Sequence, residues 1–149
     1  MIEIEVLKYE AFTSSPYKGN PAGVVLQGDD YTEEEMQIIA ERAGYSETSF
    51  IRKSESADLE LRYFTPGHEM NLCGHATVAS LYALCEKGML ECDKTYSIQT
   101  KSGILPVKVS EKDGRIHITL EQASPQFKSF TGNRRKLAAA LGITEEDFS

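Results

Sequence analysis

Apolar and polar residues alternate from the start of the chain. Ile2, Ile4 and Val6 alternate with Glu3, Glu5 and Leu7, a period of two that predicts a first strand running to about Phe12. Residues 13–21 carry turn chemistry, and 23–26 read as a short apolar strand broken by Gly28-Asp29-Asp30. Thr32 stands three residues before Glu35, the spacing of a capping box, so a helix starts there. Met36, Ile39, Ala40 and Ala43 give that helix one apolar face, and Gly44 sits where a left-handed cap ends it.

Residues 46–52 and 58–64 read as strands. From Gly74 the pattern of Ala76, Ala79, Leu81, Ala83 and Leu84 is apolar nearly all round as far as Gly88, which predicts a buried helix. Three strand candidates follow at 95–101, 104–109 and 115–120, separated by Ser102-Gly103 and Asp113-Gly114, and they predict a meander. Residues 124–131 read as a linker. Leu137, Ala138, Ala140 and Leu141, ending at Gly142, predict a short helix with little left to pack on, and Thr144-x-x-Asp147 reads as the start of another. An apolar helix face so placed implies a continuation or a partner chain. There is no internal repeat and no low-complexity segment.

A chain of 149 residues is of ordinary size for one domain, and 40% hydrophobic with 26% charged residues indicates a globular protein. The net charge is −7 and the basic residues are scattered, which argues against nucleic acid or an anionic membrane as partner. The expected ligand is therefore a small molecule. No apolar run approaches the roughly 20 residues that span a bilayer, and Met1-Ile2-Glu3-Ile4-Glu5 lacks the basic and apolar regions of a signal peptide, so a cytoplasmic location is expected. Cys73, Cys85 and Cys92 are an odd set without CxxC spacing, and they read as reduced thiols rather than a disulfide framework or a zinc site.

The chemistry concentrates in Leu72-Cys73-Gly74-His75-Ala76-Thr77, at the start of the second helix. The free N–H groups and positive dipole end of a helix favour a carboxylate or phosphate, and Gly74 lets a ligand approach the backbone. His75 can then act on what is held there. Asn20, in a Gly-Asn-Pro turn, can offer an amide to a substrate, although turn formation alone explains the tripeptide. A metal site from His68, Glu69 and His75 is not expected, because that spacing across a turn matches no known ligand geometry. A Cys73/His75 hydrolase is disfavoured on the ground that residues two apart at a helix start point in different directions.

Five segments occur in a fixed order: Ala11-Phe12-Thr13, residues 19–24 (GNPAGV), Ser46-Glu47-Thr48-Ser49-Phe50, residues 61–66 (LRYFTP) and residues 72–77 (LCGHAT). Together they resemble the PhzF family of phenazine biosynthesis-like isomerases, and the resemblance covers about residues 1–121. It implies an α+β fold of the diaminopimelate epimerase type, built from two similar halves, each a strongly curved, mostly antiparallel sheet around a central helix, with the active site between the halves. On that basis residues 1–121 are the first half and 122–149 a linker and the beginning of the second. The second half's signature, a Gly-rich segment with an Asp and a Ser facing the cleft, has no counterpart here.

The resemblance further implies a cofactor-independent isomerase with Glu47 and His75 as catalytic residues, in which Glu47 moves the proton while His75 and the Gly74 region hold the substrate. Ser46 then supports Glu47, and Gly74, Cys73 and Asn20 contact a carboxylate-bearing substrate. Moving a hydrogen on carbon needs a base that also returns the proton, a role that a carboxyl group in a poorly solvated cleft can fill. Related epimerases use a cysteine at a Gly-rich helix start, so a Cys73-based epimerase stays open, beside the bland reading of a small buried residue. Asn71 stands where the family usually has an acidic residue, and His68 and Met70 are also atypical, which bears on the substrate more than on the fold. A different class of reading is a catalytically silent half that acts as a binding or assembly module. A homodimer is expected, placing two half-sites face to face.

Overall fold

Local chemistry sets the element boundaries. In the computed structural model, which describes residues 3–122 and 127–147, the Glu35 N–H donates to Thr32 Oγ1 at 3.3 Å and the Thr32 N–H donates to Glu35 Oε2 at 2.8 Å. This reciprocal cap starts α1 (Glu33–Ala43), and Gly44 ends it at φ 71°, a left-handed conformation that glycine adopts without a Cβ penalty. The second helix, α2 (Gly74–Glu86), ends before Gly88 at φ 70°. The strands are β1 (Leu7–Ala11), β2 (Asn20–Val25), β3 (Thr48–Arg52), β4 (Leu59–Phe64), β5 (Glu69–Met70), β6 (Lys94–Thr100), β7 (Gly103–Lys112) and β8 (Arg115–Leu120). A last helix, α3 (Arg134–Leu141), is capped by Asn133 and by Gly142.

The described strands form one mixed sheet in the order β1-β2-β3-β4-β6-β7-β8, with β5 on β4. The β2–β3 and β4–β6 pairs are parallel and the others antiparallel. Each parallel step is crossed by a helix, α1 in the first and α2 in the second, as parallel pairing requires. The predicted meander is present as β6-β7-β8. The sheet curls so that α2 touches β1, β2 and β3 at one end and β8 at the other, yet β1 and β8 do not pair. It therefore wraps a central helix, as expected from the family resemblance.

The α2 face of the sheet is the larger core. Leu61, Tyr63, Ile98, Val107 and Val109 pack there with Ala76, Ala79, Leu81, Ala83 and Leu84. Alanines let the curved sheet approach the helix backbone, and four buried hydroxyls pair across it, with Tyr63 Oη 2.7 Å from Thr77 Oγ1 and Ser49 Oγ 2.6 Å from Ser80 Oγ. The opposite face is covered by α1, where Met36, Ile39 and Ala40 meet Val25, Phe50 and Phe64. Strand β3 lies between the two helices and is buried along Thr48-Ser49-Phe50-Ile51, which is why it reads as a run rather than an alternation.

Three expectations shift. Strand β1 begins at Leu7, not near Ile2; Ile4 and Val6 lie before it and pack on the α1 core, so their alternation reports partial burial rather than strand pairing. Phe12 ends the strand with φ 63°. Asn20 and Pro21 belong to β2 rather than to the turn, opposite Ala11 and Glu10; the β2–β3 ladder starts only at Gly23, leaving Pro21 where one side is unpaired. Strand β5 carries no periodic signal. Of the predicted linker, residues 124–126 lie outside the described residues, and 127–131 have no regular structure. The helix start expected at Thr144 is a short 3-10 turn, Glu145–Asp147, in which the Thr144 N–H and hydroxyl both donate to Asp147.

Candidate functional site

Glu47 lies on the loop from α1 into β3. Its position is set by the backbone, since the Gly23 N–H donates to the Glu47 carbonyl at 3.0 Å just before the parallel register of Gly23 with Thr48. Gly23 is required by space: a Cβ there would lie 2.7 Å from Thr48 Oγ1 and 2.8 Å from the Tyr45 ring. Cys73 and His75 come from the start of α2. The Thr77 N–H and hydroxyl both donate to the Cys73 carbonyl, at 3.0 and 2.7 Å, and Tyr63 Oη on β4 meets Thr77 Oγ1. The helix start is thereby pinned to the strand that neighbours β3.

These supports bring three side chains together. His75 Nε2 is 3.1 Å from Glu47 Oε2, and His75 Nδ1 is 3.3 Å from Cys73 Sγ. The imidazole lies between a carboxylate and a thiol. The His75 side chain is 11% exposed and Glu47 18%, so the pair sits in a largely water-excluded place. The Nε2–Oε2 contact has the length of an ion pair but not the alignment of a hydrogen bond, which leaves Nε2 buried and without an aligned partner. Burial pushes the Cys73 thiol up, and the Glu47 carboxylate adds to that, against the pull of the Ala76 and His75 N–H groups. Cys73 is thus held as a thiol.

The contact of Cys73 with His75 corrects the expectation that the two point apart. Cys73 is the residue before the helix, extended at φ −138° and ψ 111°, so helical spacing does not govern its side chain. Around Gly74, an added Cβ would meet only Gln122 Nε2, at an ordinary contact distance of 3.7 Å. Ser46 is exposed. Asn20 is exposed at the start of β2, and among the described residues no hydrogen bond or ion pair joins Asn20 or Ser46 to Glu47, Cys73 or His75.

His68 and Glu69 are engaged elsewhere. His68 is exposed beside Thr65, and Glu69 accepts from Arg62 Nε and Nη2 at 2.7 and 2.6 Å and pairs with Lys101. Among the described residues, Glu47, Cys73 and His75 form a group able to hold a metal ion, with one donor atom from each lying within 4.8 Å of the others. That grouping escapes sequence reading because Glu47 is 26 residues from Cys73 and meets it only across β3 and α2.

Comparison with known proteins agrees with this architecture. The family model described as phenazine biosynthesis-like protein matches residues 9–149. An uncharacterized isomerase of Bacillus subtilis, YfhB, is 91% identical over 99% of this chain and 50% of its own length. The crystal structure of a PhzF-family phenazine biosynthesis protein from Bacillus anthracis covers 100% of this chain and 50% of that protein, at 50% identity and a TM-score of 0.88. A predicted epimerase of Pseudomonas aeruginosa shares the fold at 17% identity, with a TM-score of 0.83 over 99% of this chain and 53% of its own. The curled sheet around α2 is the diaminopimelate epimerase-like fold of these relatives. The chain spans about half the length of the relatives it matches.

Proposed function

The chain belongs to the PhzC-PhzF family of phenazine biosynthesis-like proteins, and from that premise we propose that it is an isomerase that relocates a proton on a small carboxylate-bearing metabolite. The observation that carries this reading is the Glu47–His75 contact of 3.1 Å at the start of α2. In the proposed step the Glu47 carboxylate takes a proton from a carbon activated by the substrate's carboxyl group, and the resulting carboxylic acid returns it at a second position. His75 hydrogen-bonds the charge that develops between the two transfers, and the N–H groups beginning at Gly74 hold the substrate carboxylate. This proposal invokes no cofactor and no metal.

The test is solvent deuterium incorporation during turnover of a panel of small carboxylates. Glu47→Gln is expected to lower it by about 100-fold or more, the usual weight of one general acid-base. Normal turnover by that variant would sink the reading. The Cys73–His75 contact favours a second reading, a cysteine-based epimerase, which predicts that Cys73→Ser abolishes exchange while Glu47→Gln retains it. A half-site that is silent alone, or complete only as a homodimer, predicts exchange in neither case or only in a dimeric fraction separated by light scattering.

A further inference from the structure

We infer that Glu47, Cys73 and His75 form an inhibitory zinc site, with the metal held by one carboxylate oxygen, one thiolate and one imidazole nitrogen, and its fourth position open to water. A sulfur, a nitrogen and an oxygen are zinc's preferred donor types, and three protein ligands with an open fourth position is a common zinc arrangement. Soft thiolate and imidazole together select zinc over magnesium or calcium. Ordinary zinc bond lengths put donors about 3.4 to 3.6 Å apart. Here one donor atom from each of Glu47, Cys73 and His75 lies within 4.8 Å of the other two, with His75 offering a single ring nitrogen. A turn of the Glu47 carboxylate about its side-chain bonds can close the rest.

The surroundings fit a ligand better than a finished structural cluster. His75 Nε2 is buried and lacks an aligned partner, the kind of atom that a bound ion satisfies. Binding releases the thiol proton to solvent and forms a sulfur–metal bond; no electron is transferred. The inhibitory half of the inference rests on the isomerase reading, because zinc would occupy the Glu47 oxygen and the His75 nitrogen that the proton transfer uses. The binding half does not.

Reduced full chain is titrated with zinc against a chromogenic chelator, and cobalt(II) serves as a spectroscopic probe. The expected result is one zinc per chain, a thiolate-to-cobalt charge-transfer band, and protection of Cys73 from iodoacetamide. Cys73→Ala and His75→Ala are expected to weaken binding by about 100-fold or more, more than the loss of an outer-shell group costs. The Cys85→Ser/Cys92→Ser variant is expected to retain it; those two thiols adjoin each other, burial and the neighbouring Cys92 pushing Cys85 up to about 11, and are the competing site.

No zinc binding, affinity unchanged by Cys73→Ala, or affinity lost in the Cys85→Ser/Cys92→Ser variant overturns the inference. Should Cys73→Ala not fold, as judged by circular dichroism, protection of Cys73 in the unmodified chain decides. Zinc binding without Glu47-dependent exchange fails the isomerase reading alone. Exchange without zinc binding fails this one alone.

Discussion

At the residue scale the site depends on how closely two backbones approach at Gly23. Its N–H positions the Glu47 carbonyl, and its missing Cβ leaves room for Thr48 and Tyr45. Gly23→Ala is expected to destabilise the protein by about 1 to 3 kcal/mol, the usual cost of overpacking a core, and to displace Glu47. Chemical denaturation with a two-state fit measures the first, and a crystal structure of the variant the second. Glu47 and His75 were legible in the sequence because short motifs carry them. Their contact was not, since it depends on the packing of α2 against β3, which local spacing does not encode.

At the scale of elements the helix caps were the most readable feature. Thr32, Glu35 and Gly44 each do in the structure what their spacing predicts, because capping is settled within a few residues. Thr32→Ala is expected to cost about 1 kcal/mol, the typical worth of an N-cap, read as a lower midpoint in urea with an unchanged slope. Strand starts were less readable. Ile4 and Val6 have the alternation of a strand but pack against α1 without a ladder partner, and Asn20-Pro21 has turn composition but joins β2. In both places a tertiary neighbour overrides a local preference.

At the scale of the molecule, Arg62 links distant parts of the fold. Its guanidinium on β4 bonds Glu69 on β5 and reaches Glu33 at the start of α1 at 2.6 Å, while Glu69 also pairs with Lys101 after β6. Arg62→Met leaves Glu69, whose side chain is 9% exposed, with Lys101 alone. A loss of about 3 kcal/mol is expected, the lower end for breaking a buried pair, measured by thermal or urea unfolding. Burial acts to raise the Glu69 carboxyl, but Arg62 and Lys101 outweigh it and hold it below the ordinary value of 4.5. A carboxylate depressed on folding contributes stability in full above its unfolded value, and that stability is lost as pH falls through the folded one. Melting curves below the ordinary carboxylate range should therefore fall more steeply for the native chain than for Arg62→Met; equal slopes would remove Glu69 from the acid response. The sequence by itself determined the helices and their caps, the β6-β7-β8 meander, the family and the segments that carry Glu47 and His75, all of which rest on contacts within a few residues or on motifs. The curl of the sheet around a central helix came with the family resemblance; only the tertiary structure decided which residues α2 packs on and that Glu47, Cys73 and His75 meet in one largely buried cluster. Those outcomes depend on packing between β3 and α2, elements some 25 residues apart in the chain, for which no local pattern carries a signal.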